Sequence, residues 1–86
     1  MPRSKAYRKY QLTFNNPQEH GFDHETIRSI LQDISGIVYW CMCDEEGSTC
    51  HTHLYVAFEN AKEFSMIQRR FYGAHIEAAR GTHREN

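Results

Sequence analysis

Two histidines one residue apart, His51 and His53, head the apolar run STCHTHLYVAF. A neutral imidazole carries a nitrogen lone pair that suits divalent transition metals. Side chains along a β-strand alternate faces, so the two rings fall on one side and Thr52, Leu54, Val56 and Phe58 on the other. An acidic stretch, Asp44-Glu45-Glu46, lies just upstream. Two imidazoles and one carboxylate leave coordination positions open, which is the pattern of a catalytic cation site. Two other readings fit the same residues. The histidines can be surface residues of a hairpin. Alternatively, Cys41, Cys43, Cys50, His51 and His53 can supply a tetrahedral Zn2+ site, although their spacing is not the usual C-x2-C. Outside such a site the cysteines serve as small apolar filler.

The strand that must deliver the carboxylate selects among the three acids. IVYWCMC, 37–43, is β-branched and aromatic and predicts a strand, EEGST a turn, and HTHLYVAF the returning strand of a hairpin. Val38, Trp40 and Met42 make the better core set, which turns Tyr39, Cys41, Cys43 and Glu45 to the side of the histidines. Pairing Glu45 opposite His51 keeps both core sets together, and directly opposed residues have Cβ atoms roughly 4.5–5.5 Å apart. A slip of one residue would present Asp44 but would expose Trp40 and Met42. Glu45 is therefore preferred to Asp44 and Glu46.

The flanking elements follow from periodicity. YRKYQLTFNN, Tyr7 to Asn16, alternates Tyr10, Leu12 and Phe14 against Lys9, Gln11, Thr13 and Asn15, and NNP with Gly21 stops it. Ile27, Ile30, Leu31 and Ile34 predict a helix with Asp23 as N-cap, Glu25 in the first turn and Gly36 as its end. Asn60 and Glu63 resemble a capping box opening a second helix, with Phe64, Ile67 and Phe71 as its stripe and Gly73 closing it. AHIEAA, 74–79, predicts a last strand. The expected order β-α-β-β-α-β describes an α+β domain, ferredoxin- or RNA-recognition-motif-like, with an antiparallel sheet, both helices on one face and the other face open.

Size and composition bound the function. Eighty-six residues make one small domain, and 13% aromatic content argues for a packed core. No apolar run approaches the roughly 20 residues of a membrane span, and the first eleven residues lack a signal-peptide core, so no membrane partner is expected. The net charge of −1 offers no bulk attraction to nucleic acid. Basic residues do crowd the two ends, as Arg3, Lys5, Arg8 and Lys9 and as Arg69, Arg70, Arg80 and Arg84. An odd cysteine count without a secretion signal predicts reduced thiols.

Four segments in order resemble the replication initiators of small circular single-stranded DNA viruses and rolling-circle plasmids. QLTFNNP resembles their first motif, HTHLYVAF their His-hydrophobic-His metal element, and CDEEG the segment of their acidic ligand. GAHIEAARGTHREN resembles the approach to their third motif. The resemblance spans about Tyr7 to Asn86. Two positions depart from the family pattern: Thr52 stands where a large apolar residue is usual, and the hairpin loop is short. The family's nucleophilic Tyr-x-x-Lys is absent, since none of Tyr7, Tyr10, Tyr39, Tyr55 and Tyr72 has Lys three residues on. By family spacing that tyrosine would follow Asn86, which leaves no catalytic nucleophile within these residues.

The resemblance implies sequence-specific nicking and joining of single-stranded origin DNA. Mg2+ or Mn2+ would be held by Glu45, His51 and His53, and a tyrosine would form a 5′-phosphotyrosine link. It implies DNA across the open face, with Gln11, Thr13, Asn15 and Asn16 toward bases or sugars, Arg8 and Lys9 toward phosphates, and Tyr55 or Tyr39 stacking a base. Homo-oligomers would form through other parts of a longer protein. The location would be the bacterial cytoplasm for a plasmid-type initiator, which YWCMCDEEG slightly favours, or the host nucleus for a viral one. A non-catalytic RNA-recognition-motif-like binding module shares the element order but needs no histidine pair.

Overall fold

The computed structural model describes residues 5–17, 19–47 and 50–79. Arg3, Arg80 and Arg84, and residues 80–86 of the segment that resembles the approach to the third motif, lie outside the described residues. The chain forms β1 (Ala6–Asn15), α1 (His24–Asp33), β2 (Ile37–Glu46), β3 (Cys50–Glu63), α2 (Phe64–Arg70) and β4 (His75–Ala78). The fold is α+β, with one four-stranded antiparallel sheet in the spatial order β2-β3-β1-β4.

Period-two alternation builds the two faces. Tyr10, Leu12 and Phe14 of β1 and Leu54, Val56 and Phe58 of β3 are buried, and they join Ile27, Leu31 and Ile34 from α1 and its cap with Ile67 and Phe71 from α2. Both helices thus bury their stripes against the same side of the sheet. Phe14 anchors this core through ring contacts at 4.9 Å to Phe22, tilted by 48°, and at 5.8 Å to Phe71, an edge-on arrangement that aromatic rings favour. The buried Tyr10 hydroxyl donates to the Lys62 carbonyl at 2.5 Å, so its polar end is satisfied. Burial pushes the Tyr10 phenol above its ordinary pKa.

The helix signals are met unevenly. Asp23 caps α1, its Oδ1 accepting from the Thr26 N–H at 2.8 Å. The helix stops at Asp33. Ile34 is its extended C-cap yet still buried, and Gly36 turns the chain with a φ of +82°, which suits a residue without Cβ. The capping box expected at Asn60 is absent. β3 runs on through Asn60 to Glu63, where Ala6 pairs Glu63 and Tyr7 pairs Lys62, and α2 opens from Glu63 with no side-chain cap. Backbone pairing with β1 outweighs a local cap motif there.

The core assignment of β2 also needs correction. Val38 is 64% exposed and Trp40 36%, and only Ile37 and Met42 pack at the core margin. Ile37 pairs Phe58 while Tyr39 pairs Ala57, so Val38 is the extra residue of a β-bulge. β2 is an edge strand, and α1 leaves its outer flank as a groove lined by Arg28, Leu31, Gln32 and Trp40. The alternation was legible, but the sideways reach of the helix layer was not.

Candidate metal centre on the open face

Glu45 pairs directly opposite His51, and Cys43 opposite His53, in the register the core pattern requires. Thr52, between the two histidines, is 1% exposed on the helix side, so both rings stand on the uncovered side. The imidazole centroids are 6.2 Å apart and tilted by 34°. The His53 Nε2 lies 3.3 Å from Glu45 Oε1.

The third strand of the site is β1, where Asn15 pairs His51 and Thr13 pairs His53. Asn15 Oδ1 lies 2.5 Å from His51 Nδ1, and Thr13 Oγ1 lies 3.4 Å from His53 Nδ1. Thr13 and Asn15, expected from the sequence to face DNA, lie on the open face and each contacts an imidazole ring. The signal for this was present: QLTFNNP places two short polar side chains at alternate positions of a strand that must neighbour the His-Thr-His strand.

Asp44 faces the other way. Its Oδ1 accepts from Thr52 Oγ1 at 2.8 Å and contacts His24 Nε2 at 2.8 Å. His24, and then the Thr52 hydroxyl, hold the Asp44 carboxyl below its ordinary range. The same contact accommodates Thr52, a polar side chain on the core face of β3. Its hydroxyl is buried and satisfied by the neighbouring edge strand.

The donor types suit a divalent cation: two imidazoles and one carboxylate on adjacent strands of one face. It is not a preassembled cluster, since among the described residues no three His, Cys, Asp or Glu side chains converge closely enough to hold an ion. The five-ligand zinc alternative fares worse. Cys50 pairs Glu46 and so lies on the parity opposite to Cys41, Cys43 and the histidines. All three thiols are exposed and none is in a disulfide.

The other predicted contact residues spread along the open face. Gln11 and Tyr55 pair across β1 and β3, and Tyr55 meets Tyr39 edge-on at 6.0 Å. Gln11, Tyr39, Cys41, Cys43, His53 and Tyr55 line one shallow groove. Burial near Tyr39 and its hydrogen bond with Cys41 are different in weight: the Cys41 contact is the main cause that raises the Tyr39 phenol. Lys9 lies at the far end of this face, about 20 Å from Asn15 at ~3.3 Å per residue. Arg8 is exposed beside the irregular pairing between Tyr7 and Lys9. Asn16 is a turn residue with a φ of +46°, which asparagine tolerates, and its N–H donates to the Cys50 carbonyl at 2.8 Å. The basic pair Arg69 and Arg70 sits on α2, in the helix layer, where Arg70 Nη1 contacts Asp33 Oδ2 at 2.6 Å.

No helix among the described residues is long and apolar enough to cross a membrane. No protein-family model and no curated protein matches this chain.

Proposed function

We propose that this chain is a metal-assisted, single-stranded DNA nicking and joining domain of the rolling-circle initiator kind, on a ferredoxin-like sheet whose open face receives DNA. The observation that carries the proposal is the placement of Glu45, His51 and His53 on adjacent strands of the uncovered face, with Thr13 and Asn15 beside the rings. An Mg2+ or Mn2+ ion held by Glu45, His51 and His53 would supply Lewis-acid stabilisation of charge on the non-bridging oxygens of a scissile phosphate. His51 and His53 offer neutral nitrogen donors, and Glu45 offsets cation charge.

Lys9 and Arg8 attract phosphates at one end of the sheet. Gln11 presents an amide midway, and the Tyr39–Tyr55 pair offers ring faces for a base. The covalent catalyst in this proposal is a tyrosine beyond Asn86. Its Oη would bond the phosphorus while the P–O3′ bond breaks, the phenolic proton passing to solvent and O3′ taking up a proton from solvent to depart as the hydroxyl that primes synthesis.

Mn2+ titration followed by electron paramagnetic resonance tests the centre. One saturable site is expected in the 86-residue chain, lost in His51→Ala and in His53→Ala. No saturable uptake by the unaltered chain would end the proposal. With Mn2+ and a labelled random-sequence oligonucleotide pool, these 86 residues are expected to bind DNA without nicking it or linking to it.

The tyrosine pair favours one second reading, a metal-independent nucleic-acid-binding module. Oligonucleotide affinity unchanged by EDTA, together with no Mn2+ uptake, would select it.

A further inference from the structure

We infer that β1 sets the proton positions on the two imidazoles. Asn15 fixes His51 with its proton on Nδ1 and its ligand lone pair on Nε2, while the Thr13 hydroxyl lets His53 exchange its Glu45 contact for a ligand bond. The inference rests on the metal reading for its purpose but on hydrogen-bond chemistry for its content. Asn15 and His51 share one rung of the β1–β3 ladder, as do Thr13 and His53, so each contact is built into the register.

An amide oxygen only accepts, so the His51 nitrogen 2.5 Å from Asn15 Oδ1 must donate. A neutral imidazole has a single N–H, and His51 Nε2 therefore carries the lone pair. His53 is held differently. Its Nε2 stands 3.3 Å from the acceptor Oε1 of Glu45, which calls for a proton on Nε2. The Thr13 hydroxyl then donates to Nδ1 across 3.4 Å. When Nε2 becomes a ligand the proton must sit on Nδ1, and the same hydroxyl turns to accept it. The ring keeps one proton throughout, moved from Nε2 to Nδ1 through solvent. An asparagine oxygen could not serve both states, whereas a hydroxyl can. The two residue types thus match a preset ligand and a switching one, and Thr13 and Asn15 act as positioning residues.

Long-range proton–nitrogen correlation spectra of the nitrogen-labelled, metal-free chain test this. They are recorded near about pH 8, where an unperturbed imidazole, with a pKa of about 6.5, is neutral. His51 is expected as the Nδ1–H tautomer and His53 as the Nε2–H tautomer, with His53 converting to Nδ1–H on adding Zn2+ as a diamagnetic probe. Asn15→Asp, which keeps an acceptor, should preserve the His51 tautomer, and Asn15→Leu should shift it toward Nε2–H. Thr13→Val should weaken Mn2+ binding by about ten- to a hundredfold and Thr13→Ser should restore it. His51 found as Nε2–H in the unaltered chain would overturn the inference, because the Asn15 amide would then be donating. So would equal Mn2+ affinity of Thr13→Val and the unaltered chain. The expected tautomers with no Mn2+ uptake would sink the metal reading and the switching role of Thr13, while leaving the Asn15–His51 assignment standing.

Discussion

Replacing Val56 or Val38 by alanine tests the parity on which the open face depends. Val56 lies on β3 at 0% exposure, three residues from His53 and so in the opposite, helix-facing set, whereas Val38 is the 64%-exposed bulge residue of β2. Removing two methyl groups at Val56 forfeits about 1.6 kcal/mol of transfer free energy at ~0.8 kcal/mol per group. A residual cavity of roughly 40 Å3 adds about 1 kcal/mol at ~24 cal/mol per Å3. The sum, about 2.5 kcal/mol, corresponds to a fall in Tm of about 10–20 °C for a domain of this size. Val38 buries about a third of its side chain and leaves no cavity, so Val38→Ala should cost only about 0.5 kcal/mol, or roughly 2–4 °C. The lower β-propensity of alanine enters both variants and largely cancels in their difference. Thermal melts followed by circular dichroism, with urea unfolding as a check on two-state behaviour, measure the contrast. Equal losses, or a larger loss at Val38, would refute the packing of β3 between helices and solvent. The outward display of His51 and His53 would fall with it.

Three further outcomes are expected. The folded-state pKa of Asp44 is depressed from 3.8, so its ionised form adds stability above that pH, lost as pH falls through the lower folded value. Asp44→Asn should therefore be less stable than the unaltered chain near neutral pH, with the gap closing in melts taken progressively below pH 3.8. Changing Cys41 and Cys43 together to serine should leave Mn2+ affinity within about twofold, since the proposed donors are harder nitrogen and oxygen ligands; loss of metal binding would revive a thiolate site. Tyr39→Ala with Tyr55→Ala should weaken oligothymidine binding by about tenfold or more in fluorescence anisotropy, and unchanged affinity would remove the stacking role.

Much of the site was legible because period two carries two kinds of information at once. A core on alternate residues of 10–14 and 52–58 forces the intervening side chains outward, and matching the hairpin's core sets paired Glu45 with His51 before any coordinates. The contacts of Thr13 and Asn15 with the histidines were harder to see, because alternation assigns a face without naming the neighbouring strand. The side-by-side placement of β1 and β3 is a long-range outcome of sheet order. Val38 and Trp40 misled for a related reason: their apolar alternation is real, but α1 ends its cover short of the sheet edge. At Asn60 a local cap signal lost to the continuing ladder with the start of β1.

The position of β3 between two partners bears on how a guest ion would be captured. From His51 to Ala57 that strand is hydrogen-bonded to β1 on one side and β2 on the other, so lifting either histidine's backbone means tearing two ladders. Glu45 rides an outermost strand, bonded on a single flank among the described residues and two residues from the hairpin tip. Amide exchange should be slow under the imidazoles and faster around the acid. Were the proposed ion to bind, the two imidazoles would be offered by the doubly bonded strand and the carboxylate by the strand whose backbone yields more easily.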